Sequence, residues 1–371
     1  MSDLNLLYTD VEEDLRASVR GLLADRCDHA AVLATYDGDR SLVAGLWKAL
    51  AVELGLAGLL VPEDRGGAGA SAREAAVVLE ELGRSAAPVP FLTSAVVATT
   101  VLVGPETDLD SDLLSGLAAG DHTAALVVPL STAPHAPLPD VRRGEDGRLT
   151  GTVTSVAGAL EANILLVPVA VADGVEVIAV PSVEAKVDPV VSLDMTRQLA
   201  DVTLDGATGE LVVKADGEAA VRRALGVGAA MMASEQVGVA QSCLTTTVAY
   251  LKERRQFGRA VGGFQAIKHR LADLFVAVES ATAAARYAAA TLAEEDPDCE
   301  VATAVAQAYC GEVAVYAAEE AVQLHAGIGM TWEHPAHLYL KRAKADQVAF
   351  GTSGAHRTRL AGLVDLPAAG G

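Results

Sequence analysis

The spacing of hydrophobic positions divides the chain into a helical part, a strand-rich part and a second helical part. Up to about residue 118, apolar residues recur three or four positions apart, which is the spacing of one face of an α-helix. The first such stripe consists of Val11, Leu15, Val19 and Leu22. Residues 119–217 contain short runs rich in Val, Leu and Thr, broken by Gly, Pro and Asp, a pattern typical of strands joined by turns.

The helical spacing returns after residue 218, and the predicted helices there are Val221–Glu253, Gly263–Glu294, Val301–His325 and Ala336–Lys344. In the strand-rich part we expect hairpin turns at Asp146–Gly147 and Asp173–Gly174. The strands are predicted to form a small antiparallel barrel or sandwich. The 371 residues are enough for two or three domains with a large core.

Composition refines this picture. Hydrophobic residues make up 51% of the chain but aromatic residues only 4%, so the core must consist of Ala, Val and Leu, which favours closely packed helices. The net charge of -21 argues against a nucleic-acid or anionic-membrane partner. The four cysteines are far apart and lack the spacing of a metal or redox site. We therefore expect no metal.

The N-terminal residues show no basic segment followed by an apolar core, so no signal peptide is expected. The longest apolar runs, such as Ile164–Ala172, are too short to cross a bilayer. A cytoplasmic location without membrane attachment is the expectation that follows.

One basic segment stands out against the acidic background. Tyr250 to Asp273 contains six Lys or Arg residues around the turn Gly258–Gly263, and this local positive charge indicates a bound anion. Arg254 and Gln265 lie at the two predicted helix ends, where a guanidinium and a carboxamide could reach a phosphate and a ring edge outside the subunit. The alternative is a solvated corner between two helices with no ligand.

The segment ERRQFGRAVGGFQAIKHRLAD resembles the signature of the acyl-CoA dehydrogenase family. LGLAGLLVPEDRGGAGASAREAAVVLEELGRSAAPVPFL, near the N-terminus, is similar to the same family. The resemblance covers nearly the whole chain. It implies an α+β multidomain fold: an N-terminal helical domain (1–118), a central antiparallel β-barrel (119–217) and a C-terminal four-helix bundle (218–371). It also implies FAD as the cofactor and an acyl-CoA thioester as the substrate.

By the same resemblance, Arg254, Phe257 and Gln265 reach across a subunit interface to the FAD of a neighbour. QLHAGIGM resembles a Gln–x–x–Gly–Gly–x–Gly turn of the family, which implies that Gln323 and Gly327 contact the adenine side of that FAD. Thr352 belongs to a Gly–Thr pair that the family also has. It is expected either to keep the backbone geometry of the turn or to contact a phosphate.

The middle region departs from the family. Typical members carry Thr–Glu–Pro and Gly–Ser–Asp segments that hold the flavin ring, but the stretch Val127–Pro137 reads VVPLSTAPHAP. A second flavin-contact strand usually reads Trp–Ile–Thr or similar, and here Ser155, Val156 and Ala157 stand in its place. We infer that this subunit has lost its own half of a flavin pocket.

The catalytic base is also missing from both positions that the family uses. Phe350 stands where a Glu usually precedes the Gly–Thr pair, and Gly228 stands at the second known position on the preceding helix. Glu235 lies two turns beyond Gly228 and is the one nearby carboxylate to nominate. A solvated or ion-paired Glu235 is the alternative, and the catalytic residue stays unknown.

Three functional hypotheses remain open. In the first, the chain is one half of a hetero-oligomer, such as a heterotetramer with a paralogous acyl-CoA dehydrogenase subunit, and completes the FAD site of a partner that carries the base. Such unlike-subunit pairs resemble family members that act on bulky thioesters, including steroid side chains. In the second, it is a self-sufficient homo-oligomeric flavoenzyme that uses another base such as Glu235 or does different flavin chemistry. In the third, it is a flavin-free interaction protein.

Overall fold

A computed structural model describes residues 4–104, 112–214 and 216–367. Its first third is helical. The α-helices there are α1 (Asp10–Arg26), α2 (His29–Ala34), α3 (Ser41–Lys48), α4 (Ala72–Arg84), α5 (Thr99–Val103) and α6 (Asp112–Ala119). Two π-helical segments, Ala49–Glu53 and Phe91–Ala98, continue α3 and precede α5. Phe91–Ala98 is buried along its whole length, so it forms part of the central core.

The buried face of α1 differs from the apolar stripe that the sequence predicts. Val11 is 68% exposed, whereas Glu12 and Arg16 are buried beside Val19. Ion pairs with α4 explain the difference. The Arg16 guanidinium lies 2.8 Å from a carboxylate oxygen of Glu80 in α4, and Glu12 pairs with Arg73, which is also in α4. Charged side chains can occupy a buried face when each one finds a partner of opposite charge.

The middle of the chain forms one sheet of eight strands. These are β1 (Ala124–Leu126), β2 (Arg142–Arg143), β3 (Leu149–Ala157), β4 (Ile164–Val171), β5 (Gly174–Pro181), β6 (Lys186–Val190), β7 (Leu199–Ala207) and β8 (Glu210–Val213). Their order is β6-β7-β3-β2-β4-β5-β8, with β1 beside β4. Most pairs are antiparallel, but β1 and β2 each pair with β4 in parallel. Both predicted hairpin turns are confirmed, since Arg143 pairs with Leu149 and Val171 with Gly174.

The predicted closed barrel is wrong. Within the described ranges, β6 and β8 are the two ends of the sheet and do not pair with each other. A closed barrel needs hydrogen bonds between its first and last strands. Strand β6 is short and contains Pro189, which has no N–H to donate, and β8 has only four residues before the chain turns toward the next helix. The sheet therefore stays open.

Alternating residues of the sheet supply two cores. Leu165, Val167 and Ile178 belong to a core that consists mostly of residues of the sheet. Leu166 and Ala179, on the other face, join the core of the helices. The period of two between inward and outward side chains accounts for this division. The sheet is thereby fixed against the helical part of the molecule.

The last part is again helical: α7 (Gly217–Glu253), α8 (Gln265–Ala293), α9 (Cys299–His325), α10 (Ala336–Asp346) and α11 (Ser353–Leu363). A two-stranded hairpin of β9 (Arg255–Gln256) and β10 (Arg259–Ala260) joins α7 to α8. All four predicted helices are present, and α11 is an addition. Three of the five helices are long, and the two shorter ones pack mainly against α9.

Glycines bring the two helical parts into close contact. A Cβ atom on Gly83 of α4 would lie 2.1 Å from the carbonyl oxygen of Glu235 in α7, and a Cβ on Gly238 would lie 2.0 Å from that of Glu80. Only glycine allows this approach. Since one hydrophobic core spans both helical parts, the predicted domain limits near residues 118 and 217 stay predictions. Over the described residues, no helix combines the length and the apolar character that a membrane span requires.

Candidate functional site

The turn between α7 and α8 presents the basic segment at the surface. The backbone N–H of Arg254 donates to the carbonyl of Tyr250 (2.8 Å) and ends α7, and the N–H of Val261 donates to the carbonyl of Arg254 (2.8 Å). Phe257 is 91% exposed at the tip of the hairpin. Arg259 lies 3.9 Å from the centre of the Phe264 ring, a cation–π contact that stiffens the turn.

Most of the predicted cofactor residues lie at the same end of the helices. Gln265 is exposed in the first turn of α8, and Gln323 and Gly327 are exposed at the end of α9. Two contacts hold these ends together. The ring of Tyr250 stacks on that of His325 with 4.5 Å between centroids, and Arg270 makes two bonds to Glu320, of 2.8 and 2.6 Å.

Thr352 is not part of this group. Its side-chain oxygen accepts a hydrogen bond from the N–H of Ala355 (3.2 Å) and caps α11. Nearby, Arg357 donates to the carbonyl of Ala308 (3.3 Å), in the first half of α9. At 1.5 Å per residue, Gln323 is roughly 20 Å further along that helix. Thr352 thus lies close to Phe350 and far from the exposed group.

Both positions of the family's base are filled by packing. The Phe350 side chain is only 4% exposed, and a Cβ atom on Gly228 would lie 2.7 Å from its ring. The N–H of Phe350 donates to the carbonyl of Leu130 (2.8 Å), and its carbonyl lies 3.0 Å from Nε2 of His356. At the two positions that the resemblance assigns to the base, an aromatic ring therefore packs against a helix backbone without a side chain.

The space beside Phe350, between the strand segments that the resemblance places at a flavin ring, is almost closed. A cavity of about 20 Å³ remains there, about enough for one water molecule and far below the roughly 300–1,000 Å³ of ordinary ligand pockets. Its walls are Thr93, Val97, Leu126, Val128, Pro129, Leu130, Ala157, Leu225 and Phe350. The residues of this pocket therefore do not fit a flavin ring, whereas the exposed arginine and carboxamides do fit a dinucleotide approaching from outside.

The stretch Val127–Pro137, which stands where the family has its Thr–Glu–Pro and Gly–Ser–Asp segments, contacts the helices through hydrogen bonds and an ion pair. Arg222 of α7 donates to the carbonyls of Pro134 (2.8 Å) and Ala136 (3.1 Å). Nε2 of His135 lies 2.7 Å from a carboxylate oxygen of Glu300 in α9. Beyond this stretch is a mostly apolar cavity of about 810 Å³, bounded by α7, α9 and α11, which is large enough for part of a long ligand.

Glu235 is not placed as a free base. It is buried, its carboxylate forms an ion pair with Arg197, and Nη1 of Arg342 lies 2.7 Å from the same carboxylate. The nomination of Glu235 as base is therefore corrected in favour of the ion-paired alternative.

The surroundings of Glu235 form a buried charge cluster that sequence reasoning missed. Arg342 contacts Asp194 (3.0 Å), and Arg197 lies 3.5 Å from Asp346, so three acids share two arginines. Burial raises the pKa of Asp346 to about 8, and the neighbouring Glu235 adds to the shift. A protonated Asp346 leaves the cluster neutral. The available signal was the spacing of four residues between Arg342 and Asp346, at and just beyond the end of the predicted helix Ala336–Lys344.

Backbone strain marks four of the segments that resemble cofactor contacts. Ser155, Phe257, Ala326 and Phe350 have φ values of 57°, 49°, 54° and 54°, a region that costs non-glycine residues about 1–3 kcal/mol each. Among the described residues, no group of three or more metal-ligating side chains occurs.

Comparison with known proteins identifies the class. Residues 9–121 match the N-terminal domain of acyl-CoA dehydrogenases, and residues 215–363 match their C-terminal domain. The chain belongs to the acyl-CoA dehydrogenase family, whose members are FAD-dependent oxidoreductases that act on CH–CH donors.

Three individual proteins illustrate the similarity of this chain to the family. Acyl-CoA dehydrogenase IpdE2 of Mycobacterium tuberculosis is 35% identical over 89% of this chain and 89% of its own length. The solved Tcur3481–Tcur3483 steroid ACAD variant has a TM-score of 0.83 at 29% identity and covers 96% of this chain and 98% of its own. The butyryl-CoA dehydrogenase of Megasphaera elsdenii (TM-score 0.87, 20% identity, 97% and 100% covered) shares the fold.

Proposed function

We propose that this chain is the supporting subunit of a hetero-oligomeric acyl-CoA dehydrogenase. In this proposal, Arg254, Phe257, Gln265, Gln323 and Gly327 complete an FAD site on a paralogous subunit that carries the catalytic base. The reaction of the assembly would be α,β-dehydrogenation of an acyl-CoA thioester. The base of the partner would take the α-proton, and a bound FAD would supply the acceptor for the hydride from the β-carbon.

The contact of Phe350 with Gly228 is the observation that carries the proposal. Removing an α-proton requires a carboxylate within reach of the substrate. Here the two family positions are a buried aromatic ring and a glycine in contact with each other, and Glu235 is held by arginines. This chain keeps the family scaffold while its own proton-transfer site is filled with core.

The residues that point away from the chain support the second half of the proposal. Arg254 offers a fork of N–H donors suited to a pyrophosphate, Gln265 and Gln323 offer carboxamides, and all three are exposed at one end of the helices. Such a group cannot enclose a cofactor alone. It suits a dinucleotide whose other side is held by a second subunit.

We further propose a bulky acyl group as substrate. One similar solved structure is a steroid ACAD formed by Tcur3481 and Tcur3483, and another, at an identity that shows only the fold, is the ChsE4–ChsE5 complex of Mycobacterium tuberculosis. The self-sufficient homo-oligomer is disfavoured because a lone flavoenzyme needs both a ring pocket and a base.

Flavin content tests the proposal. The chain is purified alone and with each paralogue from the same genome that has Glu directly before its Gly–Thr pair, and flavin per subunit is measured from the visible spectrum. We expect a colourless chain alone and a yellow complex with one such paralogue. A homo-oligomer with about one flavin per chain would overturn the proposal.

A further inference from the structure

Three rings are stacked at the end of the helices that carries the predicted cofactor residues. They belong to Tyr250 in the last turn of α7, His325 at the end of α9 and His334 just before α10. The centroid of the His325 ring lies 4.5 Å from that of Tyr250 and 4.5 Å from that of His334. The Tyr250 hydroxyl also donates to the backbone carbonyl of His325 (3.5 Å). This ring stack therefore connects the turn that carries Arg254 with the turn that carries Gly327.

The hydrogen bond of His334 requires a neutral ring. Its Nδ1 accepts from the backbone N–H of Ala336 (3.2 Å), which is the first residue of α10. A neutral imidazole has one nitrogen that can accept, and a protonated one has none. A proton on Nδ1 would therefore break this bond. It would also place a positive charge at a helix N-terminus, where the helix dipole disfavours it.

The surroundings of His334 disfavour the charged form as well. Three histidines from α9, α2 and α10 face the ring: His325, His29 and His337. Burial holds the pKa of His334 below its usual value, and these three neighbours add to the shift. The unfolded chain takes up this proton near pH 6.5, whereas the folded chain resists it. The contacts of His334 therefore lose stability as the pH falls below about 6.5.

We propose that His334 is a positioning residue for the cofactor-facing end of this chain, and that a proton on His334 loosens this end in acid. The assignment of the end to a cofactor rests on the proposed function. Protonation breaks the bond to Ala336 and separates His334 from His325. The turn Ala326–Met330, which carries Gly327, lies between the two histidines in the chain and is then fixed on one side only. Flavin in the assembled complex is therefore held less tightly in acid.

Three substitutions test the proposal. His334→Asn removes the titrating ring but keeps an oxygen that can accept from Ala336, and His334→Ala removes both. His269→Asn makes the first change at an exposed histidine of α8 and is the matched control. Hydrogen–deuterium exchange at the amides of residues 326–340, relative to their intrinsic rates, is measured in each full chain alone. The dissociation constant of flavin is measured by fluorescence in the complex with the paralogue that binds the wild-type chain. Both measurements are made at about pH 5 and about pH 7.5, on either side of the ordinary titration of histidine.

The wild-type chain and His269→Asn should respond to acid in the same way. Relative to His334→Asn, we expect faster exchange and a roughly fivefold weaker hold on flavin at the lower pH, the factor that loss of one helix cap produces. At the higher pH His334→Asn should match the wild type, while His334→Ala should be loose at both pH values.

The two measurements separate the possible failures. If the wild type and His334→Asn differ by the same factor at both pH values, the proposal is overturned. An exchange response to acid without any change in flavin binding would overturn the positioning role. A chain whose exchange responds through His334, but which gains flavin with none of the paralogues, would overturn the proposed function and leave the acid-sensitive contact in place.

Discussion

The pocket around Phe350 and the basic end at Arg254 both resemble parts of the family's cofactor site, but they are built in opposite ways. Around Phe350 the side chains are buried and in contact, so each one now contributes to the core. At Arg254, Phe257 and Gln265 the side chains are exposed and lie outside the hydrophobic core. The difference shows that core packing can fill one part of this fold while motif residues stay exposed at another part, and our proposal assigns those exposed residues to the cofactor site of a neighbour.

Phe350→Ala tests the filled pocket and should have the largest effect. Removing a buried aromatic side chain typically costs about 3–5 kcal/mol, because the surrounding core does not close the cavity. The matched control is Phe275→Ala, at a half-exposed ring, for which a much smaller loss is expected. Unfolding in urea measures both. Equal losses in the two variants would mean that Phe350 is not part of the core.

Arg254→Ala tests the basic end. Loss of a charge-assisted hydrogen bond costs about 1.5–3 kcal/mol, so we expect a roughly ten- to hundred-fold weaker hold on flavin in the assembled complex. The melting temperature of the isolated chain should not change, because Arg254 contributes its backbone to the helix end. Arg255→Ala, one residue away, is the control and should keep the flavin. Full flavin occupancy in Arg254→Ala would exclude this residue from the cofactor site.

The location of the exposed basic end could be predicted from the sequence, whereas the filled pocket around Phe350 could be predicted only in part. Motif residues such as Arg254 and Gln323 occur at helix ends that hydrophobic spacing also predicts, so their common location could be inferred. The absence of a base was visible from Phe350 and Gly228. Their mutual contact was not, because it depends on how α7 and the turn before α11 pack, and 122 residues separate the two positions.

For the fold as well, features that depend on contacts between distant parts of the chain could not be predicted from the sequence. Strand runs and hairpin turns followed from local patterns, but barrel closure depends on whether the first and last strands meet, and local patterns do not report that. The burial of Glu12, Arg16 and Glu235 was also missed. Hydrophobic periodicity assigns charged residues to the surface, whereas pairing across helices allows them inside.

Gly228→Ala and Gly226→Ala test how closely α7 packs against Phe350 in the pocket. A Cβ on Gly228 would lie 2.7–2.9 Å from Phe350 and Val97, while a Cβ on Gly226 meets nothing within 4 Å. Gly226→Ala should stabilise α7 by about 0.5–1 kcal/mol through helix propensity. Gly228→Ala should be about 1–3 kcal/mol less favourable because of overpacking. In a Phe350→Ala background the difference between the two substitutions should shrink, although the contact with Val97 remains. An unchanged difference would contradict the contact between Gly228 and Phe350.

Asp346→Asn tests the charge cluster beside the pocket. The raised pKa of Asp346, about 8, means that the folded chain keeps a proton which the unfolded chain releases near pH 4. This group therefore makes stability fall as pH rises from about 4 to about 8, by at most about 1.4 kcal/mol per pH unit. Asparagine does not titrate, so the free energy of unfolding of the variant should rise relative to that of the wild type between pH 6 and 8. Urea unfolding measures this difference. Parallel stability curves would show that Asp346 is already ionised.

Thr352→Ala tests whether the Gly–Thr turn belongs with the filled pocket around Phe350 or with the basic end at Arg254. Its effect should be the smallest. The Thr352 side chain caps α11, and loss of a threonine cap costs about 1 kcal/mol. Thr352→Ser, which keeps the hydroxyl, should recover most of that stability. Because Thr352 lies beside the filled pocket, flavin in the assembled complex should stay at the wild-type level in both variants. A loss of flavin in Thr352→Ala that Thr352→Ser restores would instead place this hydroxyl on a phosphate, and the turn would then belong with Arg254.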